Sequence, residues 1–143
     1  MTTAAQGKTG FRGLKVVAKT VESSLITSFL LQSEDGSDLP AFRPGQFLVF
    51  KIPSGDAKDY VLRNYSLSGS PDDLRHYRIS VKREAAAGPG LPEGLSSSYL
   101  HDSIDVGDVL QADGPRGEFT LDEASNRPVV LLSGGVGLTP MVA

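Results

Sequence analysis

Arg63-Asn64-Tyr65-Ser66-Leu67-Ser68 is the stretch on which the reading of this chain turns. Side chains alternate along a strand, so Arg63 and Tyr65 project to one side while Asn64 and Ser66 project to the other. One face then holds a guanidinium able to clamp phosphate and an aromatic ring able to serve as a platform. A second strand-like segment, Tyr77 to Glu84, follows closely. That set suits a flavin nucleotide. A half-buried strand with Tyr65 in the core and Arg63 in solvent fits the same letters, so the surrounding segments have to separate the two readings.

Working outward, strands are predicted over 11–20, 24–32, 46–53, 61–68, 77–83, 108–112 and 117–121, from alternation and β-branched enrichment. Glu34-Asp35-Gly36-Ser37-Asp38 and Arg43-Pro44-Gly45 supply turn chemistry between them. In the strand 46–53, Phe47, Val49 and Lys51 share one face and Leu48, Phe50 and Ile52 the other, so both faces are expected to be covered. Many short strands with few helices point to an antiparallel barrel or a sandwich.

The bulk properties narrow the function classes. At 143 residues the chain fits one domain of ordinary size. A net charge of -3 gives no electrostatic case for a nucleic-acid partner. With no cysteine, disulfides, cysteine-ligated iron-sulfur clusters and thiol chemistry within this chain are excluded. The two histidines, His76 and His101, lack the partners of a catalytic dyad and read as structural, and no metal site is expected. No apolar run approaches the ~18 residues of a membrane span; a soluble, cytoplasmic protein is the expectation.

Two segments break the strand rhythm. The loop Ala85 to Gly94, rich in Ala, Gly and Pro, leads into Ser96-Ser97-Ser98-Tyr99-Leu100-His101-Asp102, where serines can cap a short helix. The N-terminus of such a helix presents unpaired N–H groups and a positive dipole end, which suits a pyrophosphate. Near the end of the chain the apolar run Val129 to Leu132 reads as a buried parallel strand. Ser133-Gly134-Gly135-Val136-Gly137-Leu138-Thr139-Pro140 follows it, with glycines that let backbone approach phosphate and Pro140 placed for the first turn of a helix. One strand cannot make a parallel α/β sheet, so the chain is expected to be the front part of a longer polypeptide.

In order and spacing these motifs resemble the ferredoxin-reductase-like flavoprotein superfamily, and most of all the reductase portion of flavohaemoglobins and related multi-domain flavin oxidoreductases. The resemblance rests on Phe42 to Phe47, Arg63 to Ser68, Arg78 to Glu84, Ser98 to Asp102, Val106 to Asp108, Gly114 to Phe119 and Gly134 to Pro140. It implies an all-β fold, a six-stranded antiparallel Greek-key barrel with a short capping helix that carries FAD, followed by the truncated first strand of an α/β NAD(P)-binding domain. The implied division is a disordered leader over 1–10, the FAD-binding barrel over 11–124 and the start of the NAD(P)-binding domain over 125–143.

Residue by residue, the resemblance implies that Arg63 holds the FAD phosphates, Tyr65 stacks on the isoalloxazine and Ser66, beside Asn64, hydrogen-bonds near flavin N5. Strand alternation turns Ser66 away from Tyr65, so a kink or the Ser66 backbone would have to serve. Phe47 stands where flavohaemoglobins tend to carry a tyrosine that reaches the cofactor. Ser80, Val81 and Lys82 match the strand along the ribityl and adenine side, contributing backbone groups more than side chains, and Glu84 ends that motif, either ordering the adenosine end or standing as a solvated charge. Gly94, Leu95, Ser96 and Ser97 match the pyrophosphate turn, with Ser96 in place of the family's usual valine. Gly134, Gly135, Val136, Gly137, Leu138 and Thr139 resemble an NAD(P) pyrophosphate turn, incomplete in this chain, with Thr139 near the nicotinamide or flavin. Tyr65, Ser66 and Thr139 are the residues expected to serve the chemistry. The implied activity is transfer of electrons from NAD(P)H through FAD to a haem, iron-sulfur or other acceptor. A non-catalytic flavin- or nucleotide-binding module, or an interaction barrel, is the alternative.

Overall fold

The computed structural model describes residues 10–56, 58–86, 88–89 and 94–143. The expected leader falls outside the described residues except for Gly10, as do residues 87 and 90–93 of the Gly/Pro loop. Six strands form: β1 (Arg12–Val21), β2 (Ile26–Ser33), β3 (Phe47–Pro53), β4 (Tyr60–Ser66), β5 (Tyr77–Lys82) and β6 (Val109–Arg116). One α-helix, α1 (Leu95–Ser103), lies between β5 and β6, and a 3-10 helix spans Gly135–Met141.

All pairings are antiparallel, in the order β4-β3-β6-β1-β2-β5. The sheet curls until its two end strands meet at a single bridge, Leu67 with Ile79, reinforced by the Ser68 N–H donating to Arg78 O at 2.8 Å. This is the expected barrel, and alternation explains its interior. Leu48, Phe50 and Ile52 of β3 face inward with Leu14, Val16, Phe29, Leu31, Ile79 and Val81 from the neighbouring strands, all fully buried. Each contributes about 1.5–3 kcal/mol by leaving water. The outward side chains of β3, Phe47, Val49 and Lys51, are only half-buried.

Helix α1 plugs one end of the barrel with Leu100 and Ile104. His101 fastens it to the sheet: Nε2–H donates to Val81 O at 2.8 Å, and Nδ1 lies 3.4 Å from Thr27 Oγ1. Lys19 of β1 caps its C-terminus, Nζ donating to His101 O at 2.8 Å and Ile104 O at 2.7 Å, where a cation also complements the dipole. The structural reading of His101 holds. His76 likewise sits in a turn, its Nδ1 3.0 Å from Asp73 Oδ2. The serines do not cap the helix from outside as expected. Gly94 is the N-cap, and the serines occupy the first turn.

Three expectations near the C-terminal end are corrected. No strand forms over Gly117–Leu121, because β3 already has β4 and β6 on its two sides and offers no edge. Side chains hold that segment instead: Gln46 Nε2 donates to Gly117 O at 3.2 Å and Arg43 Nη2 to Leu121 O at 2.8 Å. Gly45, with φ of 104°, leaves room for the Phe119 carbonyl, which a Cβ there would meet at 1.6 Å. The run Val129 to Leu132 forms no strand either. It pairs with none of the six strands, and its four side chains are exposed. Pro140 lies late in the 3-10 helix, not in a first turn, since the turn already begins at Gly135 and Gly137 N–H bonds to Gly134 O at 3.1 Å.

Candidate functional site

Past the Leu67–Ile79 bridge, β4 and β5 part. Continued in register, Ser66 would face Ser80 and Asn64 would face Lys82, but the pairing stops and a cleft of about 500 Å³ opens between the strands. That is an ordinary size for a small-molecule site. The parting frees backbone as well as side chains. Leu67 N–H donates to Gln46 O at 3.0 Å, so by the alternation of an antiparallel pair Tyr65 and Leu48 are the next bonded couple. The N–H groups of Asn64 and Ser66 therefore turn away from β3, toward the seam. Tyr65, paired with Leu48, lies on the inner face of β4 and Ser66, paired with Phe47, on the outer face, and both residues line the cleft.

Each wall brings different chemistry. Arg63 is exposed, donates Nη1 to the neighbouring Leu62 O at 2.8 Å, and has no carboxylate partner among the described residues. Lys82 is a second cation, and Glu84 is the one carboxylate lining the cleft among the described residues. The first turn of α1 closes the floor with Gly94, Leu95, Ser96 and Ser97, directing a helix N-terminus at the same space. Gly94 is required there, because a Cβ would lie 2.8 Å from Glu84 Cβ. Its N–H bonds to Glu84 O at 3.0 Å, and Ser97 Oγ accepts from Glu84 N–H at 2.9 Å, so the helix start is pinned to the end of β5.

Tyr65 is half core and half site. Its ring meets Phe50 edge-on, with centroids 5.9 Å apart, and its hydroxyl lies 2.7 Å from Ser96 Oγ. Burial pushes the phenol's pKa up, opposed by the Ser96 hydrogen bond. Behind the cleft, Ser80 Oγ lies 2.9 Å from Ser28 Oγ and 3.0 Å from Ser68 Oγ, a hydroxyl cluster that holds the outer wall.

On the last side the 3-10 helix packs against β5 and contributes Val136, Gly137, Thr139 and Pro140. Thr139 Oγ1 donates to its own helix at Val136 O, 2.9 Å away. Of the residues expected at the site, Arg63, Asn64, Tyr65, Ser66, Ser80, Lys82, Gly94 to Ser97, Val136, Gly137 and Thr139 converge here. Five do not. Phe47 packs one strand away beside Gly117, and Val81 points into the core with its carbonyl engaged by His101. Gly134, Gly135 and Leu138 lie off the lining, Leu138 exposed. One lining residue escaped the sequence reading of the site, Pro140, adjacent to Thr139 in the motif; Glu84, read as either ordering the adenosine end or solvated, is exposed and borders the cleft. Among the described residues no group of His, Asp and Glu could hold a metal, and no helix is long and apolar enough to cross a membrane.

A helix N-terminus, a guanidinium with no carboxylate partner among the described residues, a lysine and a half-buried aromatic ring together suit a dinucleotide with a flat ring. A family model described as the oxidoreductase FAD-binding domain matches residues 13–121. The chain belongs to that family. This FAD-binding domain is 50% identical over 137 residues to the flavohemoprotein of Bordetella pertussis, an alignment covering 96% of this chain and 33% of that protein. It resembles the flavohem-like FAD/NAD binding domain of nitric oxide dioxygenase from Vibrio cholerae, with a TM-score of 0.83, 41% identity, and coverage of 95% of this chain and 55% of that one. Phthalate dioxygenase reductase, described as a modular structure for electron transfer from pyridine nucleotides to a 2Fe-2S centre, matches with a TM-score of 0.78 and 33% identity over 93% of this chain and 38% of that one. The chain spans about a third of the length of the curated relatives it matches, with 33% of the Bordetella protein covered.

Proposed function

We propose that this FAD-binding domain is the flavin-holding part of a cytoplasmic NAD(P)H-dependent oxidoreductase that passes electrons to a haem, iron-sulfur or other acceptor on another domain or chain. The observation that carries the reading is the parting of β4 from β5, which gathers Arg63, Tyr65, Ser66, Lys82 and the start of α1 around one cleft. Bound FAD supplies the redox chemistry, two electrons in and one at a time out. The chain's own residues hold and orient. Arg63 forks onto phosphate oxygens, the first turn of α1 donates backbone N–H groups to the pyrophosphate, and Tyr65 covers a ring face and excludes water. Asn64 and Ser66 offer N–H groups at the seam, and Ser66 adds a hydroxyl that both donates and accepts near flavin N5. Thr139 stands where a nicotinamide would approach.

The same reading assigns residues 11–124 to the FAD-binding barrel and residues 125–143 to the beginning of an NAD(P)-binding unit, with Gly134 to Thr139 as its phosphate turn. The test is a chimera in which this chain replaces the matching third of the Bordetella pertussis flavohemoprotein. NADH or NADPH is added while flavin bleaching and haem absorbance are followed. Reduction of both is expected. A chimera that binds FAD yet shows no flavin reduction with either nucleotide would refute the reductase reading and leave a binding module.

A further inference from the structure

Tyr65 and Ser96 form a hydrogen bond whose proton count is unfinished. Their oxygens lie 2.7 Å apart, and neither side chain has another hydrogen-bond partner among the described residues. Ser96 is only 5% exposed, and both residues line the cleft. Two hydroxyls carry two hydrogens, and the bond between them uses one. The remaining O–H, in a buried position, needs an acceptor that the described protein does not provide.

Chemistry decides which oxygen keeps the spare hydrogen. A phenol is the more acidic donor and an alkyl hydroxyl the better acceptor, so Tyr65 donates to Ser96. That leaves the Ser96 O–H free, in the first turn of α1, beside the dipole's positive end and in a cleft lined by Arg63 and Lys82. The acceptor such surroundings favour is anionic. We propose that Tyr65 and Ser96 act as one relay: Tyr65 O–H donates to Ser96 Oγ, and Ser96 O–H donates to a phosphate oxygen of the dinucleotide. The proposal rests on the FAD reading above and adds to it a positioning role, in which diphosphate occupancy locks the orientation of the aromatic platform. Donation from Tyr65 polarises the Ser96 hydroxyl and strengthens its bond to the anion.

The experiment compares FAD with riboflavin, which has the ring but no phosphate. Affinities are measured by fluorescence titration for the unaltered chain, Ser96→Ala, Ser96→Thr, Tyr65→Phe and the Ser96→Ala/Tyr65→Phe double variant. Ser96→Ala is expected to weaken FAD by about 10- to 100-fold, the scale of a lost hydrogen bond to a charged group, and riboflavin by less than about twofold. Tyr65→Phe is expected to weaken FAD by a few-fold and to add nothing in the Ser96→Ala background. Ser96→Thr, which keeps the hydroxyl, restores most of the affinity and controls for damage to the fold. Equal losses for FAD and riboflavin in Ser96→Ala, or losses that multiply in the double variant, would overturn the relay while leaving the FAD site standing. An unaltered chain that binds neither ligand would overturn the cofactor reading itself.

Discussion

Arg63→Ala separates the functional role of β4 from a structural one. In the structure the Arg63 side chain is exposed and its hydrogen bond goes to the carbonyl of its own neighbour, Leu62, at 2.8 Å. Removing it strands no buried partner, so folding stability should change by no more than about 0.5 kcal/mol. Against a phosphate the same guanidinium makes charge-assisted bonds worth about 1.5–3 kcal/mol. That range corresponds to a loss of about 10- to 150-fold in FAD affinity. Arg63→Lys keeps the charge and loses the fork, so it should fall between. The assay is titration of FAD by fluorescence or calorimetry at two ionic strengths, with the melting temperature of the apo-protein as control. The wild-type affinity should weaken more with added salt than that of Arg63→Ala. Binding by Arg63→Ala within about twofold of wild type, at unchanged melting temperature, would refute the phosphate role.

Gly94→Ala should weaken FAD binding and destabilise by about 1–3 kcal/mol, because the new Cβ would sit 2.8 Å from Glu84 Cβ and force the helix start off β5; titration and thermal melts of the variant check both. Lys19→Met removes the cation that closes the C-terminus of α1 through two carbonyls and should cost about 1–2 kcal/mol, seen as a melting temperature lower by roughly 2–8 °C. Tyr77, whose hydroxyl donates to Pro40 O, has a pKa pushed up to about 12 by burial, with Arg12 opposing. The folded state therefore holds that proton more tightly than the unfolded one: its contribution is complete below about pH 10 and is lost as pH rises from there through about 12. Urea melts across pH 9 to 12 should show this loss, and Tyr77→Phe should flatten it. The exposed run Val129 to Leu132 should drive concentration-dependent self-association, reduced by Val130→Glu with Leu132→Glu; light scattering that finds only monomer at high concentration would contradict it.

The barrel was legible because its signals are local. Alternation in Phe47 to Pro53 and in Tyr77 to Lys82 states which side chains face in, and the turn residues between segments leave little else to fold. The parts that misled depend on neighbours. Gly117 to Leu121 alternates like a strand, but whether β3 had an edge to spare was a fact about β4 and β6. Val129 to Leu132 carries the pattern of a buried strand, and pairing depends on what lies beside it.

At the site, Arg63 to Ser66 stood out because a guanidinium and an aromatic ring share one face. What the letters could not show is that β4 and β5 part after one bridge, so that both faces of β4 border the cleft. Phe47 was placed at the cofactor or in the core by order in a motif, and its ring packs beneath Gly117; Val81, expected to offer backbone, turns its side chain into the core and gives its carbonyl to His101. The Tyr65–Ser96 contact spans 31 positions and joins a strand to a helix; no periodicity within either segment reports it.

The most direct test of the FAD site is an absorbance scan of the purified chain, from the near ultraviolet through the visible, after incubation with FAD and removal of the excess. Retained flavin bands, displaced from those of free FAD and altered by Tyr65→Ala, are expected from a ring held against Tyr65 in the cleft. A colourless protein, or bands identical to free FAD and indifferent to Tyr65, would contradict it.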